Sequence, residues 1–281
     1  MSIRKWKSRL VLGLCWFSAA ATIFVILGII FVVFLRGRET LTVDIIKGVP
    51  SYLKGTTGIL PNILNTVYIV GITLAVVLPL GVGTAIYLNE YSKDNAAVRV
   101  IEFSVDILSG VPSIIYGLIG LLVFVSTFGL GTSILSGAFA MVFVVLPGVV
   151  RTSMEALKSV PKGYRDGAFA LGAGKWHTTK SVVLPSALNG VLAGAILSVG
   201  RIIGESAALL FTAGAANKIL NVFEALSPES SGSTLTVALY IYAKERGEFD
   251  IAFTIALVLI LLTLVLNLSA RALFNFGKAK R

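Results

Sequence analysis

The chain has 281 residues, 56% of them hydrophobic and only 14% charged, with a mean hydropathy of +0.90. A soluble domain carries about 25% charged residues and disorder needs low hydrophobicity with high charge, so a soluble globule and a disordered chain are both excluded. The net charge of +10 would suggest nucleic acid as a partner of a soluble protein, but in a chain of bilayer-length apolar runs the position of each charge carries the information.

Six apolar runs are long enough to cross a bilayer as helices, at residues 10–35, 63–87, 105–128, 133–150, 188–211 and 251–273. The first follows Arg4, Lys5, Lys7 and Arg9. Ser18 to Ala21 within it could pass for a signal-peptidase site, yet the run continues well beyond, as a membrane span does and a leader does not. Gly, Pro and single polar residues interrupt several runs, which spans tolerate when neighbouring helices satisfy the freed backbone groups. The predicted fold is therefore all-α, a polytopic bundle of six transmembrane helices forming one domain over residues 1–281. Cys15 has no intrachain partner for a disulfide. His177 is the lone histidine and no Cys/His cluster accompanies it, so neither a metal site nor a cofactor is expected.

With the amino terminus placed in the cytoplasm, the inside segments hold sixteen basic residues and the outside segments seven, with Arg201 inside a span. That asymmetry is what the positive-inside rule requires, and it puts both termini in the cytoplasm. The basic balance then reports topology, and nucleic acid drops out as a partner.

The connection at 151–187 is a long inside loop. Pro161 suits the first turn of a helix. Tyr164, Ala168 and Leu171 follow at i, i+4 and i+7 as a narrow apolar stripe, and Gly172 fits the left-handed position past a helix end. Gly163, Gly167 and Ala168 keep the helix slim enough for another backbone to approach. On the residues alone, this is a helix that docks a cytoplasmic partner or one that lies on anionic lipid, held by Lys158, Lys162 and Arg165. Trp176 reads as an interface anchor.

Ionisable residues inside spans come next. Arg201 lies thirteen residues beyond Leu188, about 20 Å of helix rise, where a charge faces protein or a water-filled path. Glu205, four residues on, offers a self-neutralising ion pair, although Arg before Glu is the weaker order for helix support. A guanidinium also matches a tetrahedral oxyanion through paired donors, so a site on the substrate path is preferred. Glu102 and Asp106 sit close enough to the interface to read as a wet acidic face. Pro112 predicts a kink in the third run, and Gly110, Gly117 and Gly120 predict close helix packing. The outside segment 212–250 reads as a solvated loop that could receive an external protein.

Three sequence patterns resemble one family. Asp166-Gly167-Ala168, three residues, Gly172, nine residues, Val182, one residue, Leu184-Pro185 resembles the EAA loop of ABC importer permeases, with mild departures at Asp166, Gly167 and Val182. The segments GVPSIIYGL and GRIIGESAALLFTA, with PLGVGTAIYLNEY in the second span, are similar to permease subunits of phosphate ABC importers. GTTGILPN at 55–62 and the short amino-terminal tail tilt the resemblance to the PstA type over the PstC type. The resemblance runs from about Gly55 to the end, and implies a type I ABC importer permease in a prokaryotic inner membrane. It also implies partners: a second, PstC-like permease subunit, a PstB-like ATPase dimer and an extracytoplasmic, PstS-like phosphate-binding protein. The ATPase would be coupled through Pro161, Tyr164, Asp166, Gly167, Ala168, Leu171, Gly172, Leu184 and Pro185. No G-x-x-x-x-G-K-[ST] phosphate loop occurs in the chain, so ATP chemistry would belong to the partner and the chain itself would not be an enzyme. Alternatives are a permease for another oxyanion such as sulfate or molybdate, a proton-coupled secondary transporter using Arg201 and Glu205 as a relay, and a receptor-like scaffold that would not need the EAA spacing.

Overall fold

Every regular element among the described residues is a helix, as apolar segments of this length require in lipid, where each backbone N–H and C=O must be paired within the segment. The computed structural model describes residues 3–50, 57–92, 96–228 and 230–279. Lys54, Gly55, Thr56, Lys93, Glu229, Lys280 and Arg281, used in the charge map and motifs above, lie outside them.

The chain begins with α1 (Ile3–Thr40) and a short α2 (Val43–Lys47), followed by α3 (Leu60–Ile86), which runs on through a π-helical turn, Tyr87–Tyr91. Then come α4 (Ala96–Gly110), α5 (Ser113–Gly120) with a π-helical continuation Leu121–Thr127, and α6 (Ile134–Lys158). The expected loop holds α7 (Lys162–Ala170) and α8 (Lys175–Thr178), the latter joined by the π turn Thr179–Val183 to α9 (Leu184–Ile203). The last part holds α10 (Ala207–Thr212), α11 (Val222–Ala225), α12 (Leu235–Tyr240) with the π turn Ile241–Glu245, and α13 (Phe249–Ala279).

Five of these helices are long and apolar enough to cross a membrane, and a sixth span exists if α4 and α5 count as one. The third run is thus a broken span, bent by 100° between Gly110 and Ser113, where a kink had been expected. Pro112 has no N–H for the Leu108 carbonyl, and the Tyr116 hydroxyl donates to that oxygen instead at 2.7 Å. With the Val111 amide also donating to it at 3.3 Å, the Leu108 carbonyl is satisfied across the bend. The fifth run also differs from the expected continuous span over 188–211, because residues 204–206 separate α9 from α10.

The bundle centres on α3, α6 and α9, whose inner faces share the buried cluster around Ile69, Val77, Met141, Val145, Val199 and Ile202. Small residues allow the approach. A Cβ at Gly81 would come 2.6 Å from a Val149 methyl, one at Gly190 would come 2.5 Å from the Ala156 Cβ, and one at Gly194 would collide with Thr152. In lipid, where apolar surface gains nothing by leaving its solvent, such close packing is the main source of helix association. By contrast, none of the most apolar stretch of α1 is buried within the chain. Its carboxyl-terminal end meets α13, where Gly37 closes onto the Phe253 backbone.

The segment after α10 is less of a solvated loop than its composition suggests. Ser233, Thr234, Leu235 and Val237 are fully buried. Asn62 and Asn65 at the start of α3 both donate to the Ser233 carbonyl (3.1 and 3.2 Å), and the Leu235 amide donates to the Thr66 hydroxyl at 3.0 Å. Glu224, one of its acidic residues, closes a capping box with Asn221.

Candidate functional site

The first candidate region lies where the two broken spans meet. Gly117 of α5 faces Ala208 of α10, and a Cβ at 117 would stand 2.7 Å from the Ala208 Cα. One turn on, a Cβ at Gly120 would meet the Thr212 methyl at 2.8 Å and the Ala140 Cβ at 3.0 Å. The GVPSIIYGL and GRIIGESAALLFTA segments, distant in sequence, are thereby packed against each other. Gly117 and Gly120 serve the close approach expected of them, whereas Gly110 faces open space.

Arg201 sits in the last turn of α9 and is exposed within the chain. The contacts of Gly190 with Ala156 and of Gly194 with Thr152 fix an antiparallel register of α9 on α6. Continued along both helices, that register sets Arg201 level with Val145, near the midpoint of α6. Arg201 is exposed, whereas Val199, Ile202 and Ile203 around it are buried in the cluster shared with Met141 and Val145 of α6, so the arginine projects from the packed face of α9.

Glu205 does not pair with Arg201. Its carboxylate accepts the Ala208 amide at 3.2 Å, capping the first turn of α10, where the helix dipole favours a negative charge. The Thr236 hydroxyl holds the Glu205 carbonyl at 2.8 Å. Glu205 is thus the residue that starts the new helix, and Arg201 has no ion-pair partner among the described residues. The self-neutralising pair considered from sequence is absent.

Glu102 and Asp106 are matched with bases of α6, Glu102 to Lys158 at 3.3 Å and Asp106 to Arg151 at 3.0 Å. These groups are well exposed, so each pair is worth about 0–1 kcal/mol.

The second region is the loop. Pro161 stands one position before α7 in an extended conformation, as its N-cap rather than in its first turn. Gly172 takes the expected left-handed conformation, φ +82°. The Gly172 and Ala173 amides donate to the carbonyls of Phe169 (2.9 Å) and Ala168 (3.0 Å), the two bonds of a Schellman ending. Tyr164 is 55% exposed and Leu171 90%, while Ala168 is half-buried. Asp166 is exposed, and Gly163 and Gly167 have nothing of this chain near them. Phe169 (46% exposed) and Trp176 (62%) extend the apolar surface, and the periodicity had not included Phe169. Leu184 and Pro185 lie elsewhere, half-buried in the first turn of α9.

The spacing also missed the contact that fixes α7. Arg165 binds Glu90, in the π turn at the end of α3, through Nη2 to Oε1 at 2.6 Å and Nε to Oε2 at 3.1 Å. The two positions are 75 residues apart, and no local pattern links them.

Comparison with known proteins decides the family. Residues 78–276 match the family described as binding-protein-dependent transport system inner membrane component. The chain belongs to that family. Among its relatives are a probable ABC transporter permease protein YqgI of Bacillus subtilis, 36% identical over 96% of each chain, and the phosphate transport system permease protein PstA 1 of Mycobacterium tuberculosis, 32% identical over 99% of this chain and 91% of the relative. A chain of the bacterial alginate ABC transporter, in complex with an alginate-bound periplasmic protein, superposes with a TM-score of 0.67 at 14% identity, covering 95% of this chain and 96% of that one. A chain of the inward-facing MetNI methionine ABC transporter gives 0.58 at 18%, covering 77% and 92%. At such identities the structural likeness concerns the fold, which is that of type I ABC importer permeases, as expected. The member described here is a multi-pass bacterial inner-membrane permease component.

Proposed function

We propose that this chain is the transmembrane permease subunit of an ATP-driven importer of inorganic phosphate. The observation that carries the reading is the near-full-length relationship to a phosphate transport system permease protein PstA. Arg201, exposed on α9 at the level of the midpoint of α6 and without an ion-pair partner among the described residues, supports it, because its forked N–H donors suit a tetrahedral oxyanion. Glu205 tempers that positive site through its charge while it caps α10, so that the anion is not held too tightly to leave.

Transport proceeds by alternating access. Both termini lie in the cytoplasm, and this subunit pairs with a PstC-like second permease above a PstB-like ATPase dimer. A PstS-like binding protein delivers phosphate from outside. Tyr164, Asp166, Gly167, Ala168, Leu171 and Gly172 form the docking surface for the ATPase, with Pro161 setting the start of α7. Leu184 and Pro185 set the start of α9, where movement of the loop enters the bundle.

The test is uptake of radiolabelled phosphate by phosphate-starved cells with and without the gene, in the presence of excess unlabelled sulfate. The expected result is loss of a sulfate-insensitive uptake in the deletion. Undiminished uptake in the deletion, with no other phosphate system induced, would overturn the substrate assignment in favour of another oxyanion. Collapse of the proton gradient at constant ATP should leave uptake running; arrest would point to a secondary carrier.

A further inference from the structure

The Glu90–Arg165 pair plays no part in the path described above, yet it is the least exposed ion pair among the described residues. The Glu90 side chain is 8% exposed and that of Arg165 17%, against 38–66% in the other three pairs. Besides the two bonds to Glu90, Arg165 donates through Nη1 to the Val160 carbonyl at 2.8 Å and through Nη2 to the Leu157 carbonyl at 3.0 Å. Leu157 lies in the last turn of α6, where its carbonyl also accepts the Val160 amide at 3.3 Å, and Val160 precedes Pro161. One side chain of α7 therefore grips both the end of α6 and the last turn of α3.

Apart from this grip, α7 packs chiefly against α8 and the π turn Thr179–Val183 that lead into α9, and little else ties it to α3 and α6. None of its residues is buried, and a cleft of about 450 Å³ opens beside the pair, lined among others by Lys158, Lys162 and Phe169. Apolar packing resists separation but allows sliding. A forked guanidinium–carboxylate contact fixes direction as well as distance, and its partial burial keeps water and salt from screening it. The π turn matters as well, because its extra residue shifts the phase of the helix end that carries Glu90.

We propose that the Glu90–Arg165 clamp is the strut that makes α7 move as one body with the ends of α3 and α6. Force applied to α7 by the ATPase then reaches the spans instead of being absorbed by a loosely held loop. This rests on the reading of α7 as the ATPase-docking helix. Arg165 is a positioning residue, and it touches no substrate.

The test uses the whole transporter in proteoliposomes with its binding protein and phosphate, and reads three quantities: ATPase subunits retained on purification, ATP hydrolysed, and phosphate moved per ATP. Glu90→Gln and Arg165→Gln should keep the ATPase subunits while phosphate moved per ATP falls about tenfold, the scale of a lost charge-assisted bond. The double variant should be no worse than the more affected single one, as for two halves of one interaction. Should either Gln variant fail to reach the membrane, Arg165→Lys, which keeps the charge and loses the fork, carries the same expectation. Unchanged phosphate per ATP, multiplying losses in the double variant, or loss of ATPase subunits from a folded single variant would each overturn the strut. Failure of the docking reading looks different: wild-type protein would not retain the ATPase, or Tyr164→Asp would leave retention untouched.

Discussion

Replacement of Arg201 by alanine should move stability and transport in opposite directions. A charged side chain at mid-depth costs about 2.5–3.5 kcal/mol on insertion scales. Arg201 recovers none of this through an ion pair among the described residues, since the Glu205 carboxylate is already engaged by the Ala208 amide. Removal of the arginine leaves no buried carboxylate orphaned, so Arg201→Ala should reach the membrane at wild-type level or above and unfold no earlier in detergent. Transport should fall. Hydrogen bonds from a charged group are worth about 1.5–3 kcal/mol, or roughly a 10- to 100-fold loss of uptake. Arg201→Lys, which retains the charge without the fork, should lie between. The assay is radiolabelled phosphate uptake normalised to the amount of subunit in the membrane. Wild-type uptake by Arg201→Ala would refute the reasoning, as would a drop in protein level that accounts for all the lost uptake, because the arginine would then be a structural residue.

Three further substitutions probe the surroundings. Glu205→Ala removes the cap of α10 and should cost about 0.5–2 kcal/mol, read as a lower unfolding midpoint in detergent. Gly117→Val drives a side chain into the Ala208 backbone, which cannot retreat as a flexible side chain could; about 1–3 kcal/mol of overpacking should appear in the same measurement, with uptake lost. Asp106→Asn breaks only an exposed pair with Arg151 and should change stability by about 1 kcal/mol or less; a larger drop would mean that the pair is drier in the assembled transporter than in the single chain.

Much of the architecture was legible in the chain because bilayer-spanning segments leave a one-dimensional signal. Apolar runs, basic flanks, Pro161 at the start of a helix and Gly172 after it are local facts, and the structure places helices along each run, although the third is broken by 100° and the fifth is interrupted at 204–206. The candidate site was legible in part. Arg201 and Glu205 stand out as ionisable residues in apolar sequence, but an i,i+4 spacing suggested a pair, and the chain breaks at that point. Because α9 ends at Ile203, Glu205 is no longer one helical turn above Arg201, and its carboxylate meets the free Ala208 amide at the start of α10 instead.

The sequence by itself determined the all-helical class, which runs are apolar enough to span, their charge asymmetry and the existence of a helical loop with an exposed apolar face. These follow from composition within a few turns, where each residue meets neighbours at fixed spacing. Only the tertiary structure decided the 100° break at Pro112, the contact of Gly117 and Gly120 with α10, the burial of the 232–238 segment against Asn62 and Asn65, and the grip of Arg165 on Glu90. Each of these depends on which remote atom fills a space or accepts a proton, and partners set 75 residues apart, as Glu90 and Arg165 are, leave no periodicity to read.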